Sequence, residues 1–123
     1  MKKASDYLSA AHAKVPKINT KDAIAKHGGS TLFIDVRDSA DIAKTGTIAG
    51  ALRIPRGFLE FAACEDTPHK NAALSKNSEI VLVCGAGGQA ALAGNTLHEM
   101  GYSNVSNVGG IGDWKDAGGP IEN

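Results

Sequence analysis

Covalent chemistry in this chain has few places to reside, and the most promising is a single thiol followed by a run of glycines. In Val81-Leu82-Val83-Cys84-Gly85-Ala86-Gly87-Gly88-Gln89-Ala90-Ala91-Leu92 an apolar, β-branched run meets a cysteine, then a turn, then a helix-forming stretch. Glycine at three of the four positions from Gly85 to Gly88 lets the backbone curl until successive N–H groups point inward. The first turn of the following helix adds unpaired N–H donors and a partial positive charge. The expectation is an anion cradle built by Gly85, Ala86, Gly87, Gly88 and Gln89, with the thiol of Cys84 at its lip. A positive environment favours thiolate, the nucleophilic form. A thiolate that attacks a sulfane sulfur becomes a persulfide, an anion that the same N–H groups can hold.

Other chemistries compete for this turn. Gly85-Ala86-Gly87-Gly88-Gln89-Ala90 formally fits the dinucleotide fingerprint G-x-G-x-x-A. An acidic ribose ligand is wanted about 20 residues further on, and the strand there ends in Asn107 instead. A nucleotide P-loop is excluded because no Gly-Lys-Ser/Thr follows. A cysteine phosphatase needs an arginine to clamp phosphate, and Gln89 and Ala90 occupy the available places. The plain alternative is that Cys84 is a small buried hydrophobe at a strand end.

Leu8, Ala11, His12 and Val15 recur at helical spacing over residues 5–15, and Pro16 stops that helix. Asn19 or Thr20 caps a second short helix that Gly28-Gly29 ends. Residues 31–36 and 80–83 are apolar nearly throughout, as strands covered on both faces are. Shorter strands are expected over 52–54 and 104–108. Ala93, Leu97 and Met100 mark a helix after Gly88 that ends at Gly101. Apolar strands alternating with helices predict an α/β fold with a mostly parallel sheet. Ligands of such sheets bind beyond the carboxyl ends of the strands, where Asp35 and Cys84 both fall.

Composition bounds the partners. With 123 residues there is room for one domain, and 42% hydrophobic against 21% charged residues is ordinary for a globular protein. Thirteen basic residues balance thirteen acidic ones, so no net field favours nucleic acid or an anionic membrane. Two cysteines, Cys64 and Cys84, make no disulfide framework and no zinc ligand set, and neither a metal nor a cofactor is expected. No signal-peptide core and no membrane-length apolar run is present, which makes a cytoplasmic setting the expectation.

Four segments, in order, resemble the rhodanese family over about residues 18–122. Leu32-Phe33-Ile34-Asp35-Val36-Arg37 resembles its first motif, a buried strand ending in Asp-Val-Arg, with Asp41 at the position of a usual acidic residue. Thr45-Gly46-Thr47-Ile48-Ala49-Gly50-Ala51 through Pro55 resembles the next, with Thr47 for His and Ala49 for Pro. Val83-Cys84 and the glycine turn resemble the active-site loop. Residues 109–120, from Gly109-Gly110 through Trp114 to Gly118-Gly119-Pro120, resemble the closing segment.

The resemblance implies a rhodanese-like domain over 18–123 preceded by a helical extension over 1–17. The implied fold is a central parallel sheet of about five strands with helices on both faces. The implied activity moves a sulfane sulfur from a small anionic donor such as thiosulfate to a thiol, a protein acceptor or cyanide, through Cys84. The alternative is a non-catalytic module that binds an anion or a persulfidated partner. The family's loop usually carries Arg or Lys, often as Cys-x-x-Gly-x-Arg-Ser, where Gln89 and Ala90 stand here.

Arg37 is expected to pair with Asp41 and brace a turn. Arg56 either supplies the cation absent from the loop or is a solvated surface residue. Trp114 is expected to pack with its indole N–H on a backbone partner. Cys64 fills the core at the end of a short apolar helix or resolves a Cys84 persulfide. His12, His27, His69 and His98 show no pairing that suggests a catalytic base.

Overall fold

Strand β4 (Ile80–Cys84) is buried along its whole length, and its side chains divide the interior in two. Ile80, Leu82 and Cys84 join one core cluster while Val81 and Val83 join the other, the alternation that a pleated strand imposes. A computed structural model describes residues 1–123. Before β4 come α1 (Ala4–Lys14), α2 (Thr20–Lys26), β1 (Leu32–Asp35), α3 (Ser39–Thr45), β2 (Thr47–Ile48), β3 (Leu52–Arg53), a 3₁₀ turn (Arg56–Phe58) and α4 (Leu59–Ala63). After it follow α5 (Gly88–Glu99), β5 (Val105–Gly110), α6 (Ile111–Asp116) and β6 (Ile121–Glu122).

The main sheet is parallel in the order β3-β1-β4-β5. Ile34 stands opposite Leu82, and Leu82 opposite Asn107. A parallel bridge from Lys17 to Asn107 extends the sheet beyond β5, secured by Asn107 N–H to Pro16 O at 3.0 Å and Ile18 N–H to Asn107 O at 3.1 Å. The expected sheet of about five strands is thus four strands and an edge bridge. Strands β2 and β6 form a separate antiparallel pair.

Helices cover both faces, as strands buried on two sides require. On one face α4 and α5 bring Leu59, Ala62, Ala90, Ala93 and Leu97 against Ile34, Leu82 and Cys84. On the other, α2 and α6 bring Ala23, Ile111 and Trp114 against Phe33, Val81 and Val83. The indole N–H of Trp114 donates to Pro120 O at 2.9 Å, as expected of a buried tryptophan. Asn19 caps α2, its side-chain oxygen accepting the Asp22 N–H at 2.8 Å.

Helix α1 lies on α5. Ala11 and Val15 are buried there, Leu8 is half-buried and His12 is exposed, so His12 marks the solvent edge of the expected apolar face. Gly94 of α5 permits the approach: a Cβ at that position would sit 2.8 Å from Cγ1 of Val15.

Candidate functional site

Cys84 ends β4, and α5 begins only four residues later at Gly88. The loop between them turns back on the cysteine, so that Sγ accepts the N–H of Gly87 at 2.9 Å and of Ala90 at 3.4 Å. Both donors sit at the start of α5, where N–H groups lack helical partners and the dipole is positive. Such donors bind a negative sulfur more strongly than a neutral thiol.

The thiol is not at the lip of the cradle. Cys84 is 1% exposed and lies on the floor, because its side chain shares the inner face of β4 with Leu82 and packs in the same cluster as Ala90. Among the cradle residues expected from the sequence, Gly87 is buried and bonded to sulfur, Gly88 is half-buried, and Gly85, Ala86 and Gln89 are exposed. The Ala90 N–H, absent from that expectation, is the second sulfur donor. The Gln89 side chain is turned to solvent.

Asn107 holds the loop in this shape. Its carboxamide N–H donates to Gly87 O at 3.0 Å, and its oxygen accepts the Gly109 N–H at 2.8 Å. Gly87 is left-handed at φ 101°, and a Cβ there would stand 3.5 Å from Gly109 Cα, so the two glycine segments pack backbone to backbone. A bulge aims Asn107 at the loop: Leu82 pairs with Asn107 but Val83 pairs with Gly109, leaving Val108 extra. No local sequence pattern singles Asn107 out, because the bulge is set by the pairing with β4.

Arg37 does not pair with Asp41. It returns to Asp35 two residues earlier, with Nη2 at 2.7 Å from Oδ2 and Nε at 3.1 Å from Oδ1. Its remaining donors reach Thr45 Oγ1 at 2.9 Å and Gly46 O at 3.0 Å, and Thr47 donates to the same carboxylate at 2.7 Å. Both partners are buried, so each needs the other to offset its lost hydration, whereas Asp41 lies exposed on α3. Removing one member of such a pair costs about 3–5 kcal/mol. Thr47 therefore satisfies a buried carboxylate at the position of the family's usual histidine.

Arg56 is also committed. Nη1 meets Glu60 Oε1 at 3.0 Å and Nη2 donates to Thr96 Oγ1 at 2.9 Å. It lines a hollow of about 620 Å3 between α1 and α5, which Gly88 joins to the loop. A second cleft, of about 720 Å3, runs along the outside of the loop from Gly85 to Gly88 and faces Leu8, His12 and Lys17. Leu8 and Gly88 line both hollows.

None of the remaining candidates is bonded to Cys84, whose sulfur meets only the Gly87 and Ala90 N–H groups. Cys64 is a half-buried free thiol at the end of α4, beside Ala63, whose carbonyl accepts the Tyr102 hydroxyl at 2.7 Å. Burial pushes the Tyr102 phenol up, and negative charge on Glu65 and Cys64 adds to the shift. His27 bonds Ala49 O at 2.7 Å, and His69 stacks edgewise on Phe58 at 5.3 Å. No cluster of His, Cys, Asp and Glu that could hold a metal ion is present. No helix is long and apolar enough to cross a membrane.

The rhodanese-like domain family matches residues 19–117. A protein from Rhodopseudomonas palustris, of unknown function and described as a possible tyrosine phosphatase, is 33% identical at a TM-score of 0.93, covering 99% of this chain and 96% of its own. The polysulfide-sulfur transferase of Wolinella succinogenes is 29% identical at a TM-score of 0.74, with 94% and 83% covered. A rhodanese-related protein from Thermoplasma volcanium is 25% identical at a TM-score of 0.70, with 87% and 97% covered. No curated protein matches the chain.

Proposed function

The chain belongs to the rhodanese-like family, and from that premise we propose that it is a sulfurtransferase carrying sulfane sulfur as a persulfide on Cys84. The observation that supports this most is the pair of backbone N–H groups, from Gly87 and Ala90, directed at Sγ. In the first half-reaction the Cys84 thiolate attacks the outer sulfur of thiosulfate. The sulfur–sulfur bond of the donor breaks, sulfite leaves with the electron pair, and Cys84 holds the transferred sulfur. In the second, cyanide or a thiolate attacks that terminal sulfur and Cys84 leaves as thiolate.

Fixed donors aimed at the sulfur need no reorganisation as charge moves on and off it, which is the contribution that preorganised dipoles make to catalysis. No protein base is required, because both attacking and leaving sulfurs react as anions. The reading places the protein in a reducing cytoplasm, where an unpaired thiol persists.

Gln89 presents a neutral amide to solvent, and Arg37 and Arg56 are engaged elsewhere. A compact dianion such as thiosulfate therefore finds less charge compensation here than at a loop with arginine. Polysulfide, the substrate in the name of the Wolinella relative, spreads its charge along a chain and is the second donor to test. The same lack of a free arginine argues against phosphate-ester hydrolysis, the activity suggested for the Rhodopseudomonas relative.

A non-catalytic binding module is the competing reading, and the near-complete burial of Cys84 is the observation that favours it. The test is whether Cys84 gains a sulfur atom on exposure to thiosulfate or polysulfide; a protein that gains none from either is a binding module.

A further inference from the structure

The N-terminal segment, residues 1–18, lies outside the residues 19–117 that the family matches, yet it reaches the cysteine loop at two points. Leu8 of α1 sits against the start of α5, where a Cβ at Gly88 would stand 3.7 Å from its Cδ2. Beyond α1, Pro16 O and Ile18 N–H bond the backbone of Asn107, whose carboxamide holds the carbonyl of Gly87. The N–H of Gly87 in turn meets Cys84 Sγ. A continuous series of bonds therefore runs from the N-terminal segment to the sulfur.

Close packing on α5 keeps α1 in place. Ala11, Val15 and Ala91 are buried yet belong to neither core cluster, so this contact is a layer of its own. Gly94 admits Val15: a Cβ there would stand 2.8 Å from Cγ1 and 2.9 Å from Cγ2. No ion pair joins the two helices, and one added methyl group at Gly94 overfills the contact.

We propose that α1 is a positioning element for Cys84. Docked on α5, it fixes Gly87 and the first turn of α5, which carry the two N–H groups directed at the sulfur. Leu8 acts through Gly88, and the backbone of Pro16 and Ile18 acts through Asn107. Donors held in this way need no reorganisation when charge develops on the sulfur; donors on a loosened loop do. The effect on catalysis rests on the persulfide reading of Cys84, whereas the effect on the loop does not.

Three variants test the proposal. Gly94→Ala supplies the methyl group that Val15 excludes and should lift α1 from α5. Val15→Ala removes both Cγ atoms, so Gly94→Ala/Val15→Ala should let the helix dock again. Leu8→Ala removes the contact with Gly88 while Val15 keeps α1 in place. Amide hydrogen exchange of the reduced, unloaded protein reads the loop alone. Gly87 and Ala90 should exchange about tenfold faster in Gly94→Ala and in Leu8→Ala, the β4 amides staying as in the wild type, and the double variant should recover. In the same two variants kcat for sulfur transfer should fall about tenfold with KM for the donor little changed, and the double variant should again recover.

Wild-type exchange at Gly87 and Ala90 in Gly94→Ala, equal acceleration there and in β4, or no recovery in the double variant would overturn the proposal. Should Gly94→Ala fail to fold, Leu8→Ala carries the same comparison. If Cys84 takes up no sulfur while exchange follows the predicted pattern, the persulfide reading fails and the control of the loop by α1 stands. Sulfur transfer without that pattern leaves the persulfide reading intact and removes the role of α1.

Discussion

Asn107, in the last strand of the parallel sheet, donates its carboxamide N–H to the carbonyl of Gly87 at 3.0 Å. Because the N–H of that same glycine points at Cys84 Sγ, the sheet edge sets the position of a donor on that sulfur. In the proposed sulfur transfer Asn107 is a positioning residue, acting through the loop by its bond to Gly87.

Replacing Asn107 by Asp retains an oxygen for the Gly109 N–H but sets a second acceptor against the Gly87 carbonyl. Asn107→Asp should lower kcat for sulfur transfer by about tenfold or more, the effect of a charge-assisted hydrogen bond lost from the reacting sulfur, with KM for the acceptor little changed. Asn107→Leu should also cost about 1–3 kcal/mol of stability, since buried groups lose their partners. Steady-state kinetics beside hydrogen exchange at Gly87 and Ala90 checks this. Wild-type kcat in a folded Asn107→Asp protein would show that the loop holds its shape unaided.

Gln89 is exposed at the position where the family's loop carries a cation. An arginine there offers a fork to an anionic donor where the amide offers one ordinary bond. Gln89→Arg should raise kcat/KM for thiosulfate by about 3- to 30-fold, a gain that shrinks as salt rises. Arg56→Ala should have a small effect, because its guanidinium already serves Glu60 and Thr96. Loss of most activity in Arg56→Ala would instead make Arg56 the donor's cation.

Glu79 joins the start of β4 to α2 and β1: it meets Lys26 Nζ at 2.8 Å and accepts the Thr31 hydroxyl at 2.5 Å. These two hydrogen bonds, to Lys26 first and Thr31 second, hold its carboxyl below its ordinary value of 4.5. A carboxyl with a lowered folded-state pKa stabilises the fold above the ordinary carboxylate range and loses that contribution as pH falls through the folded value. Glu79→Gln should therefore lower stability near neutral pH by no more than about 1 kcal/mol, since the pair is partly exposed. The difference should vanish in strong acid. Urea unfolding of both proteins across the acid range checks the sign; a gap that widened with acid would contradict it.

The strands that carry the site were legible because β1 and β4 are buried on both faces, which leaves an unbroken apolar run as their mark. The loop was legible because three glycines in four residues mark a tight turn, and at Gly87 the left-handed backbone, φ 101°, requires one. Four features escaped. The depth of Cys84 depends on which face of β4 its side chain joins, and an all-apolar strand does not display its two faces. The partner of Arg37 is set by burial: both Asp35 and Asp41 are within reach along the chain, but only Asp35 is buried with it and has a charge to compensate. Asn107 acquires its role from a one-residue bulge against β4, a tertiary event with no local pattern. The two-residue strands β2 and β6 are too short to show an alternation at all.

The most direct measurement is the mass of the peptide that contains Cys84, after the reduced protein has been exposed to thiosulfate or to polysulfide. The account predicts one added sulfur atom on that peptide, removed again by cyanide, with none on the Cys64 peptide. Cys84→Ser should gain no sulfur and yet melt close to the wild type, within about 1 kcal/mol in stability, as near-isosteric changes do. Sulfur carried stably by Cys64 alone, or by neither cysteine with either donor, would contradict the assignment of Cys84 as the sulfur-carrying nucleophile.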